Sequence, residues 1–451
     1  MSMGVDQQRV TELLEREHRA YVEARPRTVE LWRRGEASMP NGVPMSWLRN
    51  SFEPIPMWVD EGRGAHFRDV DGHDYLDTNI ADMSMFTGYA PEPVVRAVAE
   101  RMARGSQFMA PTEDACWVAE ELGRRYGVPL WQFTLSATHA NNEALRVARA
   151  STGRDVVAFF DGHYHGHFDE SLVAMVDGEL VPEESGLPGD VTDRVLILPF
   201  NDVEALARAL EARTVAAVVT EPALTNGVGL VLPDDGYHEA LRRITRETGT
   251  LLVLDETHTQ VVGPGGLTRL WSLQPDIVSI GKSIAGGIPL GAYGMRPEVA
   301  EVLQRPLGRD DPKPLVATGG TLFGNPLSMA AARATMDEVL TDDAYAHATS
   351  LGARLAEDLD LLVSSHGLPW TVHRFWPRSG FTFGPSMPRD AAEAVAGLDV
   401  PLRRLMRAYL ANRGVWDAIV GAGPTMGTSA TEADVDLYVD AMGALLDELV
   451  A

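Results

Sequence analysis

The chain has 451 residues, 45% of them hydrophobic, which is enough apolar side chain for the cores of more than one domain. Its formal net charge of −25 repels nucleic acids and anionic membranes. A single cysteine, Cys116, excludes an intrachain disulfide and is expected to be a small buried apolar residue. No apolar run approaches the roughly 20 residues that cross a bilayer. We therefore expect a cytoplasmic protein with no nucleic-acid or membrane partner.

The predicted elements begin with one amphipathic helix over residues 5–35, whose apolar face includes Val10, Leu13 and Tyr21. A loop rich in proline and glycine follows. Short strands come next, joined by a hairpin turn at Asp71-Gly72.

Residues 90–335 alternate between strand-like and helix-like patterns. Apolar runs of the length of buried strands lie at 156–160, 195–198, 216–220, 251–255 and 277–281. Helical patterns lie before and between them, at 91–104, 113–126, 140–151, 202–213 and 235–248. This alternation predicts an α/β fold, with a parallel sheet covered by helices on both faces.

The remaining chain predicts a smaller α+β domain. A helix at 325–340 leads out of the sheet domain, and short strands separate helices at 343–363, 400–412 and 431–448. The expected organisation is an N-terminal segment 1–75 that joins the small domain, a large domain 76–335 and a C-terminal small domain 336–451.

Polar residues follow several of the predicted strands. Ligands of open parallel sheets bind beyond the carboxyl ends of the strands. Asp255 ends one apolar run, Lys282 directly follows another, and Glu221 follows a third. Tyr164, flanked by histidines, lies after residues 156–160. These residues are therefore expected to gather at one edge of the sheet.

Several blocks of sequence together resemble one family. They are DVDGHDYLD (69–77), SATHANNEALRVARASTGR (136–154), FFDGHYHGH (159–167), LDETHTQ (254–260), PDIVSIGKSIAGGIPLGAYG (275–294) and GGTLFGNPLSMAAA (319–332). The chain resembles the class III (ω-type) aminotransferases, in the branch with glutamate-1-semialdehyde aminomutases and β-amino-acid transaminases. The resemblance implies the aspartate-aminotransferase-like fold type I of enzymes that use pyridoxal 5′-phosphate (PLP), with a large, mostly parallel-sheet domain and a small α+β domain.

The resemblance also implies catalytic roles. Lys282 matches the lysine that forms a Schiff base with PLP and then shuttles a proton. Asp255 matches the carboxylate that keeps the pyridine nitrogen protonated. Tyr164 matches the aromatic residue that stacks on the ring. Thr321 matches a threonine that reaches the phosphate of the neighbouring subunit, which implies a homodimer with a shared active site.

Further cofactor contacts are implied around the phosphate and the ring. Ser136, Ala137 and Thr138 precede a helix whose free N–H groups can hold a phosphate. The family usually has glycine where Ala137 stands. Glu221 matches a glutamate near the cofactor, either structural or chemical, and Asn226 falls in the slot of a family asparagine.

The segment after Asp255 departs from the family, which commonly reads D-E-V-x-T-G-F-R where this chain reads DETHTQVV (255–262). Thr257 is expected to lie near the cofactor ring. His258 either donates to a cofactor or substrate oxygen or fills space. Val262 occupies the arginine slot, so a substrate carboxylate needs another cation.

Arg49 occupies the slot of a carboxylate-binding arginine in the aminomutase branch, and a guanidinium is the natural bidentate partner of a carboxylate. Arg374 and Arg378 are rival candidates. Met83 and Phe86 match residues that line the substrate pocket and indicate an apolar substrate side.

The function favoured by the sequence is transfer of an amino group between an amino acid or amine and a 2-oxo acid. An intramolecular aminomutase and a racemase or epimerase on the same scaffold are the alternatives. A metal site at His163, His165 and His167 and a PLP sensor without turnover are further alternatives, which the family match disfavours.

Overall fold

The structure is a computed structural model that describes residues 4–304, 316–417 and 421–450. The chain divides into two compact units. The first comprises Met1–Pro91, Ala346–Met387 and Gly397–Ala451, and the second comprises Glu92–Tyr345 and Pro388–Ala396. The boundaries at 75 and 335 that we drew from the sequence stay a prediction.

The α-helices of the described residues are α1 (Gln7–Glu23), α2 (Pro26–Gly35), α3 (Trp47–Ser51), α4 (Glu92–Ala103), α5 (Glu113–Tyr126), α6 (Ala137–Thr152), α7 (Val203–Glu211), α8 (Tyr237–Thr248), α9 (Gly266–Leu270), α10 (Pro297–Gln304), α11 (Pro326–Ala334), α12 (Asp342–Ser365), α13 (Ala391–Ala396), α14 (Val400–Ala411) and α15 (Glu432–Val450). A π-helical turn, Thr335–Val339, extends α11.

The strands are β1 (Val59–Arg63), β2 (His66–Asp69), β3 (Asp74–Asp77), β4 (Leu130–Thr134), β5 (Val156–Phe160), β6 (Val173–Val176), β7 (Glu179–Pro182), β8 (Val195–Leu198), β9 (Val215–Thr220), β10 (Leu251–Asp255), β11 (Ile277–Ile280), β12 (Gly291–Met295), β13 (Thr371–Phe375), β14 (Arg378–Thr382) and β15 (Val415–Trp416).

A seven-stranded sheet forms the centre of the second unit, in the order β4-β12-β11-β10-β9-β5-β8. The five predicted strands form its parallel part. Its two faces are buried in different clusters, since Phe159 packs with residues of α6 while the next residue, Phe160, packs with residues of α8. The expected α/β fold, with helices on both faces of a mostly parallel sheet, is confirmed.

Two strands at one end of this sheet, β4 and β12, were not predicted from the sequence. Strand β12 runs antiparallel to both of its neighbours, so the sheet is mixed. Its sequence, GAYGM, contains two glycines that weaken a strand pattern. A Cβ at Gly294 would lie 2.4 Å from the ring of Trp131, so the glycine makes room for that indole.

In the first unit, a four-stranded sheet has the order β1-β2-β3-β15, and β13 pairs with β14. The predicted hairpin turn is confirmed, because β2 and β3 pair antiparallel through Arg68 and Asp74, and Gly72 between them adopts φ 92°. A carboxylate oxygen of Asp69 accepts from the N–H groups of Asp71 and His73 and closes the turn.

The single helix predicted over 5–35 is wrong, because α1 ends at Glu23 and α2 begins at Pro26. Proline lacks the N–H of a helix interior but fits the first turn, so it starts a new helix here. The face with Val10, Leu13 and Tyr21 is buried as predicted.

Arg25, at the break between α1 and α2, is 2% exposed and joins distant parts of the first unit. Its guanidinium lies 3.7 Å from the centre of the Tyr21 ring and donates to the Tyr75 hydroxyl at 2.9 Å. It also lies 3.5 Å from a carboxylate oxygen of Asp69 and donates to Asn412 at 3.2 Å. These contacts satisfy a cation that would otherwise be costly to bury.

Cys116 is exposed on α5, so the expectation of a buried cysteine is wrong. The helix turns this position away from the apolar stripe that buries Val118 and Leu122. Among the described residues, none of the helices combines the length and the apolar character that crossing a membrane requires.

Replacement of Arg25 by methionine should lower the free energy of unfolding by about 3–5 kcal/mol, because it leaves Asp69 buried without its cation. Urea denaturation followed by circular dichroism measures this change. Arg27→Met is the control, since Arg27 is 51% exposed and pairs only with Glu30 across one turn. Its effect should stay below about 1 kcal/mol, and an equal effect of both changes would contradict the role of Arg25.

Candidate active site

Two neighbouring parallel strands bring Asp255 and Lys282 to the same edge of the sheet. Strand β10 ends at Asp255, which pairs in register with Ser279 of β11. Lys282 lies three residues beyond Ser279 and starts a 3₁₀ turn, Lys282–Ala285. Its φ of 54° lies in the left-handed region, which a residue with a Cβ adopts at an energetic cost.

Asp255 is 3% exposed and accepts three hydrogen bonds. One oxygen, Oδ2, accepts from His165 Nδ1 at 2.9 Å and from Asn141 Nδ2 at 2.8 Å. The other, Oδ1, accepts from the N–H of Thr257 at 3.0 Å. Burial by itself would raise the pKa of this carboxyl, but the hydrogen bond and charge of His165 and the Thr257 contact outweigh it, and the pKa is lowered.

Asn141 and His165 were not predicted from the sequence as partners of this carboxylate. Asn141, on α6, also donates to the backbone carbonyl of His165 at 2.7 Å, and its own side-chain oxygen accepts from the Ser279 hydroxyl. Two sequence features could have indicated these partners. Asn141 is a polar residue on the buried face of the helix that follows Ser136, and His165 directly follows Tyr164.

The three histidines considered as metal ligands have three different partners. His163 Nδ1 lies 3.0 Å from the carbonyl of Phe160, and burial lowers the pKa of this imidazole to about 3. His165 contacts Asp255, whereas the exposed His167 lies 3.4 Å from Glu184. Within the described ranges, no three side chains of the metal-binding types come together.

Helix α6 starts at the same edge, with Ser136 as its N-cap. The Ser136 hydroxyl accepts from the N–H of His139 at 3.3 Å, and the Thr138 hydroxyl accepts from the N–H of His167 at 3.2 Å. The N–H groups of the first helical turn, beginning at Ala137, have no partner within the helix and can bind an anion.

The start of α6 and the segment before Lys282 approach each other closely. A Cβ at Gly281 would lie 2.8 Å from the backbone nitrogen of Ala137 and 2.9 Å from its Cβ. Only glycine permits this approach, which places Ala137 directly beside the residue that precedes Lys282.

Tyr164 and Glu221 lie on segments that follow β5 and β9. Tyr164 is 43% exposed, and its carbonyl accepts from the side-chain amide of Asn226 at 3.4 Å. Glu221 is buried and accepts from the Thr225 hydroxyl at 2.5 Å. Burial raises the pKa of Glu221 despite this hydrogen bond.

Thr257 and His258, which replace apolar family residues, are 7% and 5% exposed. The hydroxyl of Thr257 is buried beside Asp255, and a side-chain hydrogen bond from Thr257 is one of the contacts that lower the pKa of that carboxyl. Nε2 of His165, whose other nitrogen contacts Asp255, is buried without a hydrogen-bond partner among the described residues. Buried polar atoms without partners are uncommon in native proteins and often mark the place of a ligand.

Thr321 is exposed in the second unit, and it follows the other cofactor candidates in the chain. Its carbonyl accepts from Gln107 Nε2 at 2.6 Å. Both residues line a cavity of about 470 Å³ whose walls also include Met109, Phe133 and Tyr293.

The predicted substrate residues belong to the first unit. The Arg49 guanidinium lies 5.1 Å from the centre of the Trp32 ring. Met83 and Phe86 are 3% and 0% exposed, and the Met83 sulfur accepts from the Thr425 hydroxyl at 3.6 Å. Of the two rival arginines, Arg378 is buried on β14, and Arg374 is exposed on β13.

Comparison with known proteins agrees with this architecture. The Aminotransferase class-III family profile matches residues 48–416. A glutamate-1-semialdehyde 2,1-aminomutase of Akkermansia muciniphila is 33% identical over 435 residues, which cover 94% of this chain and 99% of the relative.

Two solved structures extend the comparison. A glutamate-1-semialdehyde-aminomutase from Pseudomonas aeruginosa PAO1 has a TM-score of 0.93 and 37% identity, over 99% of this chain and 100% of its own. A lysine-to-alanine variant of that protein has been solved in complex with PMP. An omega-transaminase from Sphaerobacter thermophilus has a TM-score of 0.85 and 29% identity, over 94% of this chain and 98% of its own.

The residues at the sheet edge fit PLP by their chemistry. An ionised buried carboxylate suits a protonated ring nitrogen, and a helix N-terminus suits a phosphate dianion. Nε2 of His165 is a buried polar atom without a hydrogen-bond partner among the described residues, on the histidine that binds Asp255. Lys282 supplies the amine that the aldehyde of PLP requires.

Gly281→Ala should weaken PLP binding about 10- to 100-fold, because overpacking of this kind costs about 1–3 kcal/mol and Ala137 must move. Spectroscopic titration of the apoenzyme with PLP measures the affinity. Gly263→Ala is the matched control, since Gly263 has extended backbone and no atom within 4 Å of its added Cβ. Unchanged PLP affinity in Gly281→Ala would show that this approach does not matter for the cofactor.

Proposed function

The chain belongs to the class-III aminotransferase family and is a PLP-dependent enzyme, and from this premise we propose that it is an aminomutase, which moves an amino group within one small substrate. The similarity to aminomutases over nearly the full length of both chains carries this proposal. It reverses the order of preference from the sequence alone, which placed transamination between two substrates first.

The reaction requires removal and return of a proton at carbon. When bound, PLP supplies an electron sink for the negative charge that this proton transfer creates. The Lys282 amine binds the cofactor, and after release it is the base that takes the proton from one carbon and returns it to another. The Asp255 carboxylate, whose pKa His165 and Thr257 lower, holds the proton on the ring nitrogen.

Other residues bind and orient the cofactor. The first N–H groups of α6, together with the hydroxyls of Ser136 and Thr138, bind the phosphate. When PLP is bound, Tyr164 would stack on its pyridine ring, and Thr257 would contact the ring beside Asp255. Glu221 and His258 complete the polar surroundings of the ring.

The active site is shared by two subunits of a homodimer. Thr321 of one subunit reaches the phosphate bound by the other, which accounts for its exposed position beside a cavity in the isolated chain. Arg49 binds the substrate carboxylate, and Met83 and Phe86 border the substrate. The enzyme acts in the cytoplasm, a proposal that rests on its composition and single cysteine.

Transamination between an amino compound and a 2-oxo acid is the second candidate. The similarity to an omega-transaminase over 94% of this chain favours it. Lys282 and Asp255 would serve transamination as well as they serve an aminomutase. The two reactions differ in their need for an acceptor. A mutase converts its substrate into an isomer without a 2-oxo acid, whereas a transaminase consumes one acceptor for each amino group released.

The test of the proposed function offers the holoenzyme a panel of α-, β- and ω-amino compounds and amino aldehydes, with and without a 2-oxo acid. Chromatography of the products should reveal an isomer of one substrate in many turnovers without an acceptor. Lys282→Ala should lose this activity and the visible absorbance of PLP joined to the lysine. Turnover only with an acceptor would replace the mutase by the transaminase, and full activity of Lys282→Ala would overturn both.

Arg49→Ala should raise KM for a carboxylate substrate about 10-fold or more and have little effect on KM for an amine that lacks the carboxylate. Arg49→Lys should recover only part of the loss, because an ammonium cannot make the two-pronged contact. Arg34→Ala is the control, since Arg34 is an exposed arginine at the end of α2. An unchanged preference for acids in Arg49→Ala would transfer the role to Arg374 or Arg378.

A further inference from the structure

Gln260 occupies the position at which the class-III motif quoted above has a glycine. The residue is 3% exposed and lies in the 3₁₀ turn Thr259–Val262, five residues after Asp255. A buried glutamine must hydrogen-bond its amide, because an unsatisfied buried donor is costly. The partners of this amide therefore indicate what the side chain holds in place.

The Gln260 amide joins the two segments that carry the acid and the lysine. Its Nε2 donates to the carbonyl of Thr257 at 2.9 Å and to the carbonyl of Gly281 at 2.9 Å. The N–H of Glu256 donates to the carbonyl of Ser279 at 2.9 Å, which is a backbone contact between the same two segments. The hydrogen bond from the Gln260 side chain to Gly281 therefore adds a second link between these two segments, two residues beyond Ser279.

The Gly281 carbonyl belongs to the peptide group that also contains the Lys282 nitrogen. A hydrogen bond to this oxygen fixes the orientation of the peptide plane, and this plane sets the direction in which the lysine side chain leaves the backbone. Lys282 has the left-handed φ of 54°, a conformation that persists only where the surroundings hold it.

Asp255 is held mainly by other contacts. His165 and Asn141 both bind its Oδ2 through contacts that do not include the Gln260 amide, whereas its Oδ1 accepts from the N–H of Thr257, whose carbonyl binds that amide. Loss of the Gln260 amide should therefore displace the lysine more than the carboxylate.

Resting on the proposed function, we infer that Gln260 is a positioning residue that aims the Lys282 amine at the reacting atoms through the Gly281–Lys282 peptide. In its first action the amine attacks the aldehyde carbon of PLP, and a carbon–nitrogen double bond forms with release of one water. A misplaced amine slows this capture without changing how the phosphate or the ring nitrogen is bound.

The experiment uses two variants. Gln260→Met keeps the approximate size of the side chain and removes the amide nitrogen that donates both hydrogen bonds. Gln260→Glu keeps the shape and replaces that nitrogen with an oxygen. Stopped-flow absorbance follows capture of PLP by the apoenzyme. Calorimetry measures the affinity for pyridoxamine 5′-phosphate, whose amine cannot bond to Lys282. We expect capture to slow about 10- to 100-fold, kcat to fall more than KM rises, and pyridoxamine phosphate affinity to stay within about twofold.

Asn201→Asp is the matched control. The Asn201 amide also donates to two backbone carbonyls of the second unit, those of Leu232 at 3.0 Å and Arg389 at 2.8 Å, and neither belongs to the site. Asn201→Asp and Gln260→Glu should both lose thermal stability, because each replaces a buried or half-buried amide donor, but the rate of PLP capture by Asn201→Asp should stay at the wild-type value.

Two results would overturn the inference. One is wild-type capture of PLP by Gln260→Met, and the other is a parallel loss of PLP capture and pyridoxamine phosphate affinity, which would make Gln260 a purely structural residue. Failure of the proposed function has a different signature, because turnover of the wild-type enzyme would then require a 2-oxo acid, or Lys282→Ala would stay active, whatever the Gln260 variants do.

Discussion

The carboxylate of Asp255 is buried at the end of a central strand, and a charge in that position requires several hydrogen-bond donors. The donors come from three places in the chain, namely Asn141 on α6, His165 after β5 and the N–H of Thr257 just beyond β10. These elements must therefore meet at one edge of the sheet. The order of the parallel strands and the placement of α6 against them satisfy this requirement.

The same edge places the lysine beside a helix that can bind an anion. Strand β11 is the neighbour of β10, so Lys282 emerges next to the acid, and Gly281 permits contact with Ala137 at the start of α6. A cofactor with a phosphate, a basic ring nitrogen and an aldehyde would find complementary groups within this small region. The backbone conformation of Lys282 is an energetic cost that a rigid sheet edge can sustain.

The segment from Thr257 to Val262 departs from the motif common in the family, and each departure has a physical consequence. A hydroxyl at Thr257 introduces a buried donor beside the acid, and Gln260 adds an amide where the motif has glycine. Val262 stands where the motif has an arginine, so a substrate carboxylate would need a cation elsewhere. On the proposals above, these changes act on the substrate and on the placement of the lysine, whereas Asp255 and Lys282 themselves match the family motif.

The sequence by itself determined the family, the five parallel strands and the residues that end them, because apolar runs and short motifs are local signals. It also identified the sheet edge as the candidate site, although the roles of the individual residues there stay predictions. Only the tertiary structure decided that Asn141 and His165 bind Asp255, that Gln260 bridges to Gly281, and that Arg25 is buried. Each of these contacts joins residues far apart in the chain or depends on burial by distant segments. Their geometry arises when the strands and helices pack, and no periodicity in the sequence encodes it.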